Sequence, residues 1–548
     1  MCGIVGYVGQ VSSAAVPVLV DGLHRLEYRG YDSAGLAVGD DMGALQVRKA
    51  AGRLDNLRKA LIESPAPGNC GISHTRWATH GPATNDNAHP HLDNSGQLAL
   101  VHNGVIENYK TLREKLEADG HKFRSQTDSE VLAHLVGRHY GEINEVDGTP
   151  EMRLVEAVRR ALGEVSGTYG IVVMHSDAPD FLVGARLGSP LVVGLGKGEN
   201  FLASDVGAVI AHTADAIYLK DRDLVYLTAT DFKIEALEGG SADFEVSRVE
   251  YTLEDSEKGD YPHFMLKEIF EQPESIRNAF RGRLSEDEAS AKLGGLNLTP
   301  QQLRDVERIV LVGCGTASHA ALVGEYLIES LARIPTEVET ASEFRYRNPP
   351  LDKNTLIFVL SQSGETIDTL AALREGQRKG HRVLGIVNTV GSTIARESDG
   401  GSYLHCGPEI GVAATKSFTS QVTLLTLLAL LLGRMRHLSM AEGRKVLHDL
   451  EALPSLVERV LAQNEAIRQI ALKYRAAEGM LFLGRQGNYP IALEAALKLK
   501  EISYIFASGH ASAELKHGII ALVSETLPSV FIAPKDTVFE KMSATSKR

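Results

Sequence analysis

The spacing of apolar positions divides the chain near residue 305. Before that point, short β-type runs recur: GIVGYVG (3–9), LQVRKA (45–50), LALVHNG (98–104) and TYGIVVMHS (168–176). Helical spacing lies among them at 107–118 and 127–140. This mixture predicts a layered domain of sheets and helices over residues 2–232. An acidic stretch with EGGSADFE and EDSEKGDYPH follows. It predicts a linker, placed at 233–298.

After residue 305, strand and helix alternate. RIVLVG (308–313) leads through CGTAS into a helix, and LIFVL (356–360) leads through SQSGET (361–366) into another. RVLGIVN (382–388) reads as a third strand, and helices follow at 412–433 and 441–463. Such alternation predicts a parallel sheet covered on both faces, here over 299–438, with a helical connection at 439–467. The pattern then recurs. MLFLG (480–484), RQGNYP, the helix IALEAALKLKEIS (491–503) and SVFIAP (529–534) reproduce the spacing of the first copy. The second copy, 468–548, ends soon after its second strand, so the expectation is an incomplete second sheet. The fold class is therefore α/β and multidomain.

Composition narrows the function. The net charge of −13 speaks against nonspecific nucleic-acid binding. The apolar run 420–433 is too short to span a bilayer, and no basic stretch followed by an apolar signal core opens the chain. The four cysteines, 2, 70, 314 and 406, form no CxxC pair, which suggests neither a zinc site nor a disulfide framework. No metal or organic cofactor is expected. A reducing cytoplasm is the expected setting.

Cys2 follows the initiator methionine, whose removal would leave a thiol and an α-amino group on one residue. A thiol of pKa about 8.5 beside an amine of pKa about 8 forms a nucleophile–base pair. Polar clusters follow at LEYRGYDSAG (26–35), HTRWATHG (74–81), AHPH (88–91), HNGVIEN (102–108) and TDSE (127–130). Attack on a carboxamide needs an oxyanion site, which the Asn103 amide and the Gly104 backbone N–H offer. Arg76 suits a substrate carboxylate and Asp128 an ammonium. Singly, these residues equally fit a hairpin turn, a surface ion pair and a helix N-cap.

In this order the motifs resemble the class II glutamine amidotransferases, which implies an N-terminal-nucleophile αββα sandwich. The resemblance implies Cys2 as nucleophile, Asn103 and Gly104 as oxyanion hole, and Arg76, Thr79, His80 and Asp128 as glutamine ligands. It also places Trp77 at the gate of an ammonia channel, where the alternative is a core aromatic. Arg29 would lie in a loop responsive to the second substrate.

In the second half, Ser361, Ser363 and Thr366 open a helix after a buried-type strand, a phosphate site that needs no lysine. A Ser-Gly loop that merely caps the helix is the alternative. Glu494, Lys498 and Glu501 fall on one helix face, which fits either a salt-bridged solvent face or a cleft. With His517 they suit sugar ring opening and proton transfer between adjacent carbons. These features resemble the sugar isomerase (SIS) domains. The pairing of the two halves resembles the glucosamine-6-phosphate synthase family, which uses L-glutamine and D-fructose 6-phosphate in the first step of hexosamine biosynthesis. The resemblance implies a sugar-phosphate site at Thr316, Ser361, Gln362, Ser363, Thr366 and Val412. Glu501 would move the proton between C1 and C2, with Lys498 and Glu494 in support. His517 would assist ring opening from a second subunit, so a homodimer is implied.

The chain departs from the family pattern at Ala317, Ala414 and Ile519, and no residue matches the family's C-terminal Schiff-base lysine. A chain that only hydrolyses glutamine, or one that senses sugar phosphate without turnover, is the rival expectation.

Overall fold

The computed structural model describes residues 2–27, 30–40, 43–77, 81–143, 148–249, 257–524 and 526–546. The chain divides into two units, Met1–Ser256 and Glu257–Arg548.

In the first unit, strand Gly3–Gly9 is buried at every position, so it needs cover on both faces. Successive side chains of a strand point to opposite sides. Val5 and Tyr7 pack with Leu19 and Leu23 of helix Ala15–Leu26. Ile4 and Val8 pack with Val101, Val172 and Leu182 of a second sheet. The far face of that second sheet, with Leu100, Ile171 and Val173, is covered by helices Asp128–Glu142 and Pro150–Glu164. The result is the expected four-layer αββα sandwich. Its eight-stranded sheet runs Ser247–Arg248, Asp215–Tyr218, Val192–Leu195, Glu199–Ala203, Gly3–Gly9, Cys70–Arg76, Ser33–Gly39, Leu45–Ala51. The six-stranded sheet runs Phe232–Ala236, Asp223–Leu227, Ala178–Leu187, Gly167–His175, Leu98–Ile106, His91–Leu92.

The second unit holds the five-stranded sheet Thr336–Thr340, Arg308–Gly313, Thr355–Ser361, Val383–Val387, Gly401–Tyr403, parallel throughout. Leu311 and Phe358 face Leu424, Leu425 and Leu428 of helix Lys416–Arg436. Val310, Val312 and Ile357 face Phe344, Leu370 and Leu373 on the opposite side. A three-stranded parallel sheet follows, in the order Phe506–Ala511, Gly479–Gly484, Ser529–Phe531. The first of its strands along the chain lies between the next two, as Arg308–Gly313 lies between Thr336–Thr340 and Thr355–Ser361, and the repeat read from the spacing is therefore also a repeat of topology.

Two expectations need correction. Residues 233–298 are not a linker. Phe232–Ala236 and Ser247–Arg248 are edge strands of the two sheets, and Phe264–Phe280 is a helix packed against Lys416–Arg436 and Met440–Leu461. Edge strands need few apolar residues, so acidic composition hides them. The apolar run 420–433 belongs to the longer helix Lys416–Arg436, which is long and apolar enough to cross a membrane by length and composition. Its most apolar window is 61% buried within this fold, as a core helix is.

Leu425 is fully buried and lies where a Cβ on Gly324 would meet it at 2.8 Å. Leu425→Ala leaves a cavity between helix and sheet and is expected to cost about 2–5 kcal/mol. Denaturant unfolding of the second unit, followed beside the wild type, checks this.

Candidate functional site

Cys2 runs directly into the buried strand Gly3–Gly9, whose residue Gly3 pairs with Thr75 of Cys70–Arg76. The backbone N–H of Trp77, just past that neighbouring strand, donates to Cys2 Sγ at 3.3 Å. Asn103 comes from the other sheet. Its Nδ2 donates to the Cys2 carbonyl at 3.1 Å, and its Oδ1 lies 2.9 Å from His74 Nε2. Burial pushes His74 down to about 3, so the ring is neutral. A neutral ring facing an amide oxygen carries its proton on Nε2 and donates it. That bond decides which end of the Asn103 amide faces Cys2. His74 in turn stacks on His89 at 4.0 Å, and His89 Nδ1 accepts the His102 backbone N–H at 3.2 Å. Burial and the neighbouring rings hold His89 well below its ordinary range as well.

Asn103-Gly104 is not a hairpin turn, because both residues pair with Gly167–His175 inside a strand. Gly104 has φ of +136°, and a Cβ there would lie 2.1 Å from the Thr168 carbonyl, so no side chain fits. Nor is Arg76 a surface ion-pair residue. It is buried and donates to the Gly81 and Pro82 carbonyls at 3.3 and 3.2 Å. Burial lowers its pKa, opposed by the negative charges of Cys2, Asp32 and Asp128. Asp128 is the first helical residue rather than the N-cap, which is Thr127. Its Oδ2 accepts the Ile106 N–H at 2.8 Å. Trp77 is 39% exposed, with its ring edge-on to Tyr31 at 5.3 Å; it is not a core aromatic. Burial raises the Cys2 thiol above its ordinary pKa, offset in part by the Trp77 N–H and Arg76. Arg29, Thr79 and His80 lie outside the described residues.

In the second unit, Ser361 ends strand Thr355–Ser361, and Thr366 is the N-cap of helix Ile367–Arg378. Ser361 Oγ accepts the Gly364 N–H at 3.0 Å and lies 3.0 Å from Thr366 Oγ1. Ser363 Oγ accepts the Glu365 N–H at 3.2 Å. Gly364 turns the loop at φ +67°, where a Cβ would strike Ser392. The Glu365 carboxylate, which would repel an anion, is instead engaged by Thr393 N–H and Oγ1 at 2.7 and 2.8 Å. The Gln362 carbonyl accepts the Asn388 N–H at 3.1 Å. Hydroxyls and a helix N-terminus thus converge on one turn, as anion binding requires.

Thr316 opens helix Thr316–Ala332 and reaches across to the second copy. Its Oγ1 donates to Glu494 at 2.8 Å and accepts from Lys498 Nζ at 2.9 Å. Lys498 Nζ also lies 3.4 Å from Glu494 and 2.7 Å from Glu501. Burial disfavours the Glu494 carboxylate, yet His319 at 2.7 Å, Lys498 and Thr316 outweigh it and hold the group below its ordinary range. These charges line a contact between helices, not a solvent face. Val412 is 55% exposed on the loop before Lys416–Arg436. His517 ends the short helix Ser512–His517 and is exposed. It makes no hydrogen bond or ion pair among the described residues.

Sequence reasoning gave His74, His89, His319 and Asn388 no role. The repeated histidines of HTRWATHG and AHPH were visible; the stacking of His74, in a strand, on His89, in the loop before His91–Leu92, was not.

The SIS domain profile matches residues 302–431 and 473–547, and the glutamine amidotransferase domain profile matches 62–149. A glutamine–fructose-6-phosphate aminotransferase (isomerizing) of Thermus thermophilus is 51% identical over 543 residues, 99% of this chain and 87% of the relative. The chain belongs to the glutamine–fructose-6-phosphate aminotransferase (isomerizing) family. The enzyme of that name from Chlorobaculum tepidum is 48% identical over 99% of this chain and 87% of its own length. Among solved structures, the C-terminal domain of glucosamine-fructose-6-phosphate aminotransferase from Francisella tularensis matches with a TM-score of 0.51 and 38% identity. It covers 53% of this chain and 81% of that one. Both halves of this aminotransferase therefore carry a constellation of polar groups that the family match leaves to be assigned residue by residue.

If His74 orients the Asn103 amide, His74→Phe keeps the stack on His89 and removes the donor. The kcat of glutamine hydrolysis should then fall about 10–100-fold with little change in KM, the signature of a lost oxyanion contact. An unchanged kcat would show the amide to be held by something else.

Proposed function

We propose that the chain converts L-glutamine and D-fructose 6-phosphate to L-glutamate and D-glucosamine 6-phosphate, with the work divided between the two sites as follows. The Cys2 sulfur attacks the glutamine γ-carboxamide carbon. The oxyanion that forms is stabilised by Asn103 Nδ2 and the Gly104 N–H. The C–N bond breaks, the nitrogen takes a proton and leaves as ammonia, and water then hydrolyses the thioester to glutamate. Arg76 binds the substrate carboxylate and Asp128 its ammonium, with Thr79 and His80 as further glutamine ligands and Trp77 and Arg29 as gating residues.

At the second site, the loop of Ser361, Gln362, Ser363 and Thr366 binds the phosphate, with Thr316 and Val412 at the sugar. Ammonia condenses with the ketose carbonyl and water leaves. Glu501 takes the proton from C1 and returns it to C2, which converts a ketose imine to an aldose amine without net redox change. Lys498 and Glu494 hold Glu501 in place, and His517 from a second copy assists ring opening, which makes a homodimer the working form. The four free thiols suit a reducing, cytoplasmic setting.

The observation that carries this reading is the Asn103 amide. A neutral His74 fixes its oxygen, and its nitrogen is left facing Cys2. Assaying glutamate release and glucosamine 6-phosphate separately tests the whole assignment. Cys2→Ala should abolish glutamine-dependent formation of both. Glutamate release with no sugar product would instead leave the chain a glutaminase.

The raised thiol pKa gives a pH prediction. A thiol titrating above its ordinary range is protonated and unreactive at neutral pH, and its thiolate fraction grows as pH rises. The kcat/KM for glutamine should therefore go on rising beyond about pH 8.5, the ordinary thiol pKa, with no levelling off there. A profile already flat at that pH would mean that proton loss from the nucleophile does not limit attack.

A further inference from the structure

Residues 407–415 form the loop between strand Gly401–Tyr403 and helix Lys416–Arg436, with Val412 at its exposed crown. Asn388 ties the start of this loop to the SQSGET turn. Its backbone N–H donates to the Gln362 carbonyl at 3.1 Å, its Nδ2 donates to the Gly407 carbonyl at 2.7 Å, and its Oδ1 accepts the Cys406 N–H at 3.0 Å. The end of the loop is held by Glu409, whose Oε1 accepts the Thr415 and Ser417 N–H groups at 2.8 and 3.1 Å. The crown is held from outside the sheet domain. Glu268, on helix Phe264–Phe280, accepts the Ile410 and Gly411 N–H groups on Oε1 at 2.6 and 2.9 Å. One helical turn on, Glu271 pairs with the buried Lys416 amine at 2.7 Å.

Glu268 is only 2% exposed, and its Oε2 has no hydrogen-bond partner among the described residues. A Cβ on Gly411 would lie 2.5 Å from that oxygen, so the carboxyl fills the space beneath the loop. Burial pushes this carboxyl up to about 7 despite the two N–H donors and Lys416, with Glu409 adding to the rise. An apolar side chain would occupy such a site at lower cost. What the carboxyl adds is one oxygen that receives two adjacent N–H groups, which fixes the backbone on either side of Gly411.

We propose that Glu268 is a positioning residue for the sugar: it pins Ile410 and Gly411 so that Val412 and the adjoining backbone form a fixed wall beside the phosphate turn. This rests on reading residues 361–366 as the phosphate site. The loop wall meets the sugar and the turn meets the phosphate, so the two contacts separate experimentally.

Calorimetric titration of the full chain with fructose 6-phosphate and with inorganic phosphate, for wild type, Glu268→Ala, Glu268→Gln, Gly411→Ala and Ser361→Ala, tests it. Glu268→Ala and Gly411→Ala should each weaken fructose 6-phosphate binding about tenfold or more and leave phosphate binding within about twofold. Glu268→Gln retains a carbonyl acceptor and should restore sugar-phosphate binding to within about threefold of wild type. Ser361→Ala should weaken both ligands. Unchanged fructose 6-phosphate binding in Glu268→Ala and Gly411→Ala, with Ser361→Ala impaired, overturns the role of Glu268 alone. Unchanged binding in Ser361→Ala overturns the phosphate reading on which it rests. If Glu268→Ala does not fold, Gly411→Ala and Glu268→Gln decide the matter by the same criteria.

Discussion

The burial of strand Gly3–Gly9 on both faces is the constraint on which the N-terminal chemistry depends. Chain ends fray unless something ties them down. Here the strand is paired on one edge with Glu199–Ala203 and on the other with Cys70–Arg76, and its side chains alternate between two apolar layers. Cys2 is the first residue beyond that anchorage. Its position is therefore set by a register, not by a loop. The same register brings Trp77 N–H to the sulfur and puts His74, three residues earlier and inside the strand, against Asn103. A one-residue slip would move every one of these groups to the wrong face.

The two sites reach fixed geometry by opposite electrostatic routes. Behind Cys2, burial strips His74 and His89 of charge, and neutral rings stack and donate without drawing a counterion into the sandwich. Between the two repeats, Glu494 stays ionised against burial because His319, Lys498 and Thr316 surround it. A neutral network suits a site where negative charge appears only transiently on an oxyanion. In the second network Lys498 lies 2.7 Å from Glu501 and 3.4 Å from Glu494, so one ammonium serves two carboxylates. The second network also joins Thr316 of one repeat to Glu494 of the other, a polar contact that seats the two repeats together.

Much of this was legible in the sequence. The parallel sheet and the repeat follow from apolar period, because period reports which faces are buried; for the first unit period gave only a layered mixture of sheets and helices, and the four-layer sandwich came from the resemblance that its motifs carry. Cys2, Asn103 with Gly104, and the SQSGET turn were singled out as candidates from chemistry and spacing. What escaped depends on contacts between distant segments. His74 and His89 come from different loops and strands of the sandwich. Glu268 lies in a stretch whose acidic neighbours resemble a linker, and nothing local distinguishes its carboxyl from the exposed ones around it. The rejected alternatives failed for the same reason. Asn103-Gly104 has the composition of a turn, and only the partner strand Gly167–His175 makes it strand interior.

The parallel sheet offers two places where an anion could sit, and topology separates them. A cleft of about 480 Å³ lies among Arg304, Arg333 and Arg436, at the amino ends of Arg308–Gly313, Thr336–Thr340 and Thr355–Ser361. Its charge looks inviting. Yet Arg304 ends helix Pro300–Arg304, Arg333 caps Thr316–Ala332 and Arg436 ends Lys416–Arg436. All three cations therefore answer the negative ends of helix dipoles, and Arg436 is already spent on the Leu303 and Val306 carbonyls. At the carboxyl ends of the same strands the polarity reverses. Helices Thr316–Ala332 and Ile367–Arg378 begin there, with Thr316, Ser361 and Asn388 clustered around their N-termini. Open parallel sheets bind ligands outside the carboxyl ends of their strands. In this chain the reason is visible: at that edge the helices present N–H groups, whereas at the opposite edge the arginines serve the helix ends.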